Sequence, residues 1–103
     1  MGALRDIEYE RQLDFDTRMR ARYRVARGRV SRFSVQLEVF LEKKWRPVVR
    51  YDTSHRFAHK DLYRRGGRVV KSDLKMSFEE ALTHALDDLR DNWETYREKF
   101  LGE

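Results

Sequence analysis

Apolar and polar residues alternate with a period of two through much of this chain. Met19, Ala21, Tyr23 and Val25 are interleaved with Arg18, Arg20, Arg22 and Arg24. After an Arg27-Gly28-Arg29 break, Phe33, Val35, Leu37, Val39 and Leu41 are interleaved with Ser34, Gln36 and Glu38. Successive side chains of a strand point to opposite faces, so both runs predict strands with one apolar face. A third strand follows the polar Glu42-Lys43-Lys44 turn, with Trp45, Pro47, Val49 and Tyr51 on the apolar face and Arg46, Val48, Arg50 and Asp52 on the other. Pro47 has no N–H to give to a ladder, which marks this strand as an edge or as locally irregular.

A one-residue slip would send apolar side chains to solvent, and three-residue loops at both turns avoid it. Tyr23 then faces Phe33, Ala21 faces Val35 and Met19 faces Leu37; across the second turn Leu41 faces Trp45, Val39 faces Pro47, Leu37 faces Val49 and Val35 faces Tyr51. The other face carries Arg22, Ser34 and Asp52 in one cross-strand row and Arg20, Gln36 and Arg50 in the next. Residues 53–58 read as a loop, followed by a hairpin turning at Gly66-Gly67, where Tyr63 and Val70 argue for one face and Leu62 for the other. Before Arg18 the pattern is weak. Leu4 and Ile7 fit one side of a short helix while Leu13 and Phe15 alternate as in a strand, so residues 1–14 stay open.

From Ser77 the period changes. Ser77-Phe78-Glu79-Glu80 is a capping box, and Phe78, Leu82, Ala85, Leu86, Leu89, Trp93, Tyr96 and Phe100 recur at three- and four-residue spacing. A helix of about six turns is predicted over 77–100, with an apolar stripe that covers one sheet face. Asp87, Asp88, Asp91, Glu94 and Glu98 fall mostly off that stripe, and His84 is expected in solvent. The expected fold is a single α+β domain over 1–103: an antiparallel meander of four to five strands within 15–74, and the long C-terminal helix packed on one face.

Charge sharpens this picture. The 103 residues hold 23 basic and 18 acidic side chains, a net +5, but the distribution is uneven. Residues 1–17 have two basic against five acidic groups, residues 18–71 seventeen against four (+13), and residues 72–103 four against nine. Seventeen of the basic residues are arginine, which suits planar contacts with phosphate and stacking on bases. Arg18, Arg20, Arg22 and Arg24 form a ribbon, extended by Arg27, Arg29 and Arg32 around the turn and by Arg46 and Arg50 across the sheet. Like charges so clustered repel unless a polyanion neutralises them, so the ribbon points to nucleic acid, with RNA favoured over DNA because charged sheets with aromatic platforms such as Phe40 suit unpaired bases. The competing reading is a solvated strand face paired with Glu38 and with the acidic helix of the same or another chain.

Chemistry concentrates in Arg50-Tyr51-Asp52-Thr53-Ser54-His55-Arg56-Phe57-Ala58-His59-Lys60-Asp61. A metal-independent ribonuclease needs a base, an acid and a cation for the phosphorane, and His55, His59 and Arg50 or Arg56 supply those types, with Asp52 orienting a histidine or bracing arginines. Alternatively Asp52 simply accepts from Arg22 and the turn backbone, and the histidines cap loop ends. A metal site from Asp52, His55 and His59 would need a helix to bring two histidines four apart onto one face, so no metal is expected, and no motif calls for a cofactor. Cysteine is absent, which excludes thiol chemistry and disulfides and is compatible with a reducing compartment. With no membrane-length apolar run and no signal-peptide pattern at Met1-Gly2-Ala3-Leu4, a soluble, cytoplasmic protein that meets no membrane is expected.

The stretches Phe33–Glu38, Val49-Arg50-Tyr51-Asp52-Thr53-Ser54-His55, His59-Lys60-Asp61-Leu62 and Asp88–Trp93 resemble a group of small bacterial and archaeal proteins of unassigned function. In that group a glycine usually follows the first histidine, where this chain has Arg56. More distantly, Arg50-Tyr51-Asp52 followed by a histidine is similar to the core of TumE-like toxins of toxin–antitoxin pairs. That resemblance implies a small basic protein acting on RNA or a ribonucleoprotein and neutralised by an antitoxin or other protein partner. The alternative to RNA binding is a non-catalytic partner-binding or oligomeric module in which the basic sheet meets an acidic surface.

Overall fold

The computed structural model describes residues 3–103; Met1 and Gly2, part of the open N-terminal segment and of the stretch read for a signal peptide, lie outside the described residues. The strands β1 (Leu4–Asp14), β2 (Thr17–Ala26), β3 (Arg29–Leu41), β4 (Lys44–Asp52), β5 (His59–Tyr63) and β6 (Val69–Asp73) form one antiparallel meander in sequence order, followed by the helix α1 (Phe78–Leu101). The expected α+β meander with a C-terminal helix is therefore present. It has six strands rather than four or five, because residues 4–14 pair along β2 as a full strand. Asp6, Glu8 and Glu10 alternate there with Ile7 and Tyr9.

Register follows one device used three times. Phe15-Asp16, Arg27-Gly28 and Glu42-Lys43 are two-residue turns, closing the pairs Asp14–Thr17, Ala26–Arg29 and Leu41–Lys44. At the second and third turns both central residues have positive φ (+53° and +76°, +53° and +68°), the geometry whose twist matches a hairpin. Two-residue turns alone would displace the register by one. A one-residue bulge beside each turn restores it, at Leu13, Ser31 and Val48 in turn, as the pairing shifts between Gln12 and Asp14, between Arg24 and Val25, and between Leu37 and Glu38. Beyond the bulges Tyr23 meets Phe33, Met19 meets Leu37, Leu37 meets Val49 and Val35 meets Tyr51, as the hydrophobic pattern requires.

Between turn and bulge the three-residue-loop expectation is corrected. Glu38 meets Pro47, Val39 meets Arg46 and Phe40 meets Trp45. Because Val39 is a core residue, Arg46 lies on the helix-side register, whereas Trp45 and Pro47 are turned to the opposite face. Val48 takes up the extra residue and is itself buried. Pro47 lies beyond the β4–β5 ladder, which runs only over Val49–Asp52, so its missing N–H leaves no acceptor waiting. The last hairpin places Leu62 opposite Val70 and Tyr63 opposite Val69.

The helix lies across β3 and β4. Met19, Ala21, Val35, Leu37, Val39, Val49 and Tyr51 from the sheet close against Ala81, Leu82, Ala85, Leu89 and Phe100. Its start is fixed by the capping box: the Glu80 N–H donates to Ser77 Oγ at 3.1 Å and the Ser77 N–H to Glu80 Oε1 at 3.3 Å. Arg97 ties the far end to the β1–β2 turn, 2.9 Å from Asp14 and 3.3 Å from Asp16.

Asp88 departs from its expected place off the helix stripe. It turns inward and accepts from the Tyr51 hydroxyl, from the Tyr96 hydroxyl at 2.6 Å and from Asn92 at 2.8 Å, with Lys60 Nζ at 3.9 Å. Burial raises the Asp88 carboxyl, but these donors outweigh it and hold the group below the usual carboxylate value; burial pushes the Tyr51 phenol strongly up. His84 is exposed as expected, with its ring edge-on to Tyr51.

A group depressed in the folded state stabilises above its unfolded value, and that stabilisation is lost as pH falls through the folded value. The Asp88→Asn variant should therefore lose about 1 kcal/mol or more at neutral pH and show a flatter acid limb than the parent in urea unfolding followed across pH.

Candidate nucleic-acid interface

The face away from the helix is built by the outward residues of every strand. From one edge to the other the first row reads Glu8, Arg22, Ser34, Asp52, His59 and Asp73, and the next Glu10, Arg20, Gln36, Arg50, Asp61 and Lys71. The two rows expected from the alternation are thus present, with acidic β1 residues added beside the ribbon. Sheet twist makes this face an open concavity of about 1030 Å³, lined among others by Arg20, Arg22, Arg32, Arg50, Glu8 and Asp52.

The ribbon arginines divide by partner. Arg24 grips Asp6 with two hydrogen bonds, at 2.7 and 2.9 Å, and this contact holds the Asp6 carboxyl below its ordinary value. Arg18 bridges Glu38 at 2.6 Å and Glu10 at 3.1 Å, and its guanidinium lies 4.1 Å from the centre of the Trp45 ring. Arg20 reaches Glu38 only at 3.7 Å. Among the described residues Arg22, Arg32 and Arg50 form no ion pair; Arg50 donates to Gln36 Oε1 at 2.6 Å, and Gln36 in turn donates to Glu38. The remaining arginines lie elsewhere. Arg27 sits in the β2–β3 turn, Arg29 is drawn to Glu79 at the start of the helix (3.5 Å), and Arg46 bonds the Leu41 carbonyl and lies 3.6 Å from Glu42. The expected extension of the ribbon by Arg46 is therefore not built, because the Val48 bulge turns it to the helix side, and Arg29, opposite Ala26 on the ribbon's register, is engaged by Glu79.

Asp52 is paired with His59 rather than with Arg22. Its Oδ1 lies 2.8 Å from His59 Nε2 and also accepts the Ser54 N–H at 3.2 Å. His59 is 5% exposed, with Asp61 at 4.0 Å from Nε2 and the Phe57 carbonyl at 3.4 Å from Nδ1. Both ring nitrogens are engaged. His55 is exposed, its ring 5.6 Å from that of His59 and 6.4 Å from that of Phe57, so the two histidines are brought together as neighbouring tilted rings, the outer in solvent and the inner buried. Among the described residues no group of three or more such side chains is placed to hold a metal ion.

Arg56 closes the 53–58 loop, its N–H donating to the Thr53 carbonyl at 3.2 Å, and its φ is +67°. That left-handed conformation is free of steric cost only for glycine. A family model described as a domain of unknown function, DUF7718, matches residues 4–103. The chain belongs to that family. No curated protein and no solved structure matches it. The DUF7718 match begins at Leu4 and so takes in all six strands and the helix. The acidic strand that neutralises half of the ribbon escaped the sequence reading, although the alternation of Asp6, Glu8 and Glu10 with Ile7 and Tyr9 carried the signal. Among the described residues no helix is long and apolar enough to cross a membrane.

Replacing Arg56→Gly should raise stability by about 0.5–1 kcal/mol, read as a higher Tm. Removing the buried ring by His59→Ala leaves Asp52 with only the Ser54 N–H and should cost about 1–3 kcal/mol, whereas His55→Ala should leave the unfolding curve in place; equal losses would put His55 in the same bonded cluster.

Proposed function

We propose that the concave face of this DUF7718 domain binds nucleic acid, RNA in preference to DNA. The observation that carries the reading is the set Arg22, Arg32 and Arg50: three permanently charged guanidinium groups on one concave face, none with a carboxylate partner among the described residues, beside the Ser34 hydroxyl and Gln36 amide. Their mutual repulsion is relieved when phosphates enter. Arg18, Arg20 and Arg24 are already offset by Glu10, Glu38 and Asp6, so they frame the surface more than they drive binding. The sheet here is one six-stranded layer, not the free two-stranded ribbon that enters a DNA major groove, which favours looped or single-stranded RNA.

Cleavage of the bound strand, in the manner of a toxin-like endoribonuclease, is the finer form of this reading. It assigns proton transfer to the exposed His55, phosphate contact to Arg50, and to His59 and Asp52 a positioning role, since the His59 ring has no free nitrogen. A second reading, a non-catalytic protein-binding or oligomeric module, is favoured by the acidic β1 strip beside the basic β2 strip, which makes the face attractive to a surface of opposite charge order.

Binding of RNA should weaken steeply as salt rises. Arg22→Ala and Arg50→Ala should each lower affinity for all sequences alike and reduce the slope of log K against log salt by about one, whereas Arg29→Ala should leave it unchanged. RNA that fails to bind at low salt sinks the proposal and leaves the protein-binding reading.

A further inference from the structure

The β4 bulge does more than restore register. By taking Val48 out of the alternation it moves Trp45 from the expected apolar face to the concave one, opposite Phe40 on β3. The two rings meet edge to face, with centroids 5.4 Å apart at 68°, and Phe40 is 45% exposed. A tryptophan taken out of the core and set against a half-exposed phenylalanine forgoes burial that the helix side would have provided. Bulges are the backbone device by which sheets re-aim a side chain near a site. Arg18 fixes the Trp45 ring: locked between Glu38 and Glu10, its guanidinium lies 4.1 Å over the ring centre. The position is also fixed from the β1–β2 turn, because the Phe40 N–H donates to the Asp16 carbonyl at 2.8 Å. Phe40 stands four residues along β3 from Gln36, whose row holds Arg20 and Arg50, which is about 13 Å along a strand.

We propose that Phe40 and Trp45 form a base-stacking platform, and that the ligand of the concave face is a single-stranded nucleic acid whose unpaired bases stack there while its phosphates run to Arg22, Arg50 and Arg32. This rests on the nucleic-acid reading above and narrows it. Charge complementarity selects the occupant: an apolar peptide would gain from the rings but leave the three unpaired arginines unsatisfied, and a duplex would satisfy the arginines but present no base faces to the rings. The separation of about 13 Å suits a strand of a few nucleotides, at the low end of single-strand site sizes.

The chain has two tryptophans, Trp45 and Trp93. In the full-length Trp93→Phe variant, emission comes from Trp45 alone. Titrated with a short oligouridine at low salt, it should be quenched with a saturable profile; the same oligouridine annealed to its complement should bind at least about tenfold more weakly, and Phe40→Ala should weaken single-strand binding about tenfold. If Trp93→Phe fails to fold, the parent protein and its Trp45→Phe variant give the same readout by difference, with affinity measured by fluorescence anisotropy of labelled oligouridine. Binding that retains its Arg22 and Arg50 dependence but leaves Trp45 emission and Phe40→Ala affinity unchanged overturns the platform while the nucleic-acid reading stands. Equal affinity for duplex and single strand overturns it likewise. No binding of either, with quenching by an acidic polypeptide instead, overturns both.

Discussion

Every side-chain placement in this molecule hangs on a parity constraint in the backbone. A sheet residue faces the helix or the concavity according to whether its count from the turn is odd or even, and each two-residue turn offsets that count by one relative to the hydrophobic pattern. The bulges at Leu13, Ser31 and Val48 cancel the offset. Beyond each bulge, burial decides which way residues point, because Val35, Leu37, Val49 and Tyr51 gain most against Leu89 and Ala85. Between bulge and turn, a few residues are free of that demand. It is there that Trp45, Pro47 and Arg46 exchange faces.

The electrostatics follow from the same geometry. The +13 middle of the chain does not become one cationic surface. Antiparallel pairing sets Asp6, Glu8 and Glu10 of β1 beside Arg24, Arg22 and Arg20 of β2, Arg27 sits in a turn, Glu79 engages Arg29, and the Val48 bulge turns Arg46 to the helix side. Among the described residues three guanidinium groups of this face are left without an ion pair: Arg22, Arg32 and Arg50. For the ligand proposed above, such a set among satisfied pairs selects more narrowly than a uniformly basic patch, since the flanking carboxylates repel an anion that does not fit the opening.

Much of this was legible in the sequence. The strand alternation from Arg18 to Asp52 predicted the two cross-strand rows, and Ser77 with Glu80 predicted the start of the helix to within a residue. Two things were not fully legible, for different reasons. The β1 strand has few apolar side chains because it is an edge strand with both faces largely exposed, so the hydrophobic signal was faint where a charge signal was present. The Val48 bulge was half legible: Pro47 marked the strand as an edge or as locally irregular, but Val48 and Val49 are both apolar and either parity buries one of them, so only pairing with β3 fixes which residues change face. At the site, the types of Asp52, His55 and His59 were evident but not their pairing. That His59 is sealed and His55 open depends on Phe57 and on the left-handed turn at Arg56.

The tripeptide Arg50-Tyr51-Asp52 joins the two sides of the sheet. Arg50 and Asp52 face the concavity, where one holds Gln36 and the other His59, while Tyr51 between them faces the helix and holds Asp88. A strand can serve two masters because its faces alternate, and the consequence is genetic as much as structural. On the binding role proposed for the concave face, a screen for lost function will strike these three neighbours together for unrelated reasons, the outer two through that face and the middle one through the seating of the helix. A cluster of hits along a linear map would look like a single site. Only a readout that separates folding from binding would resolve it into two.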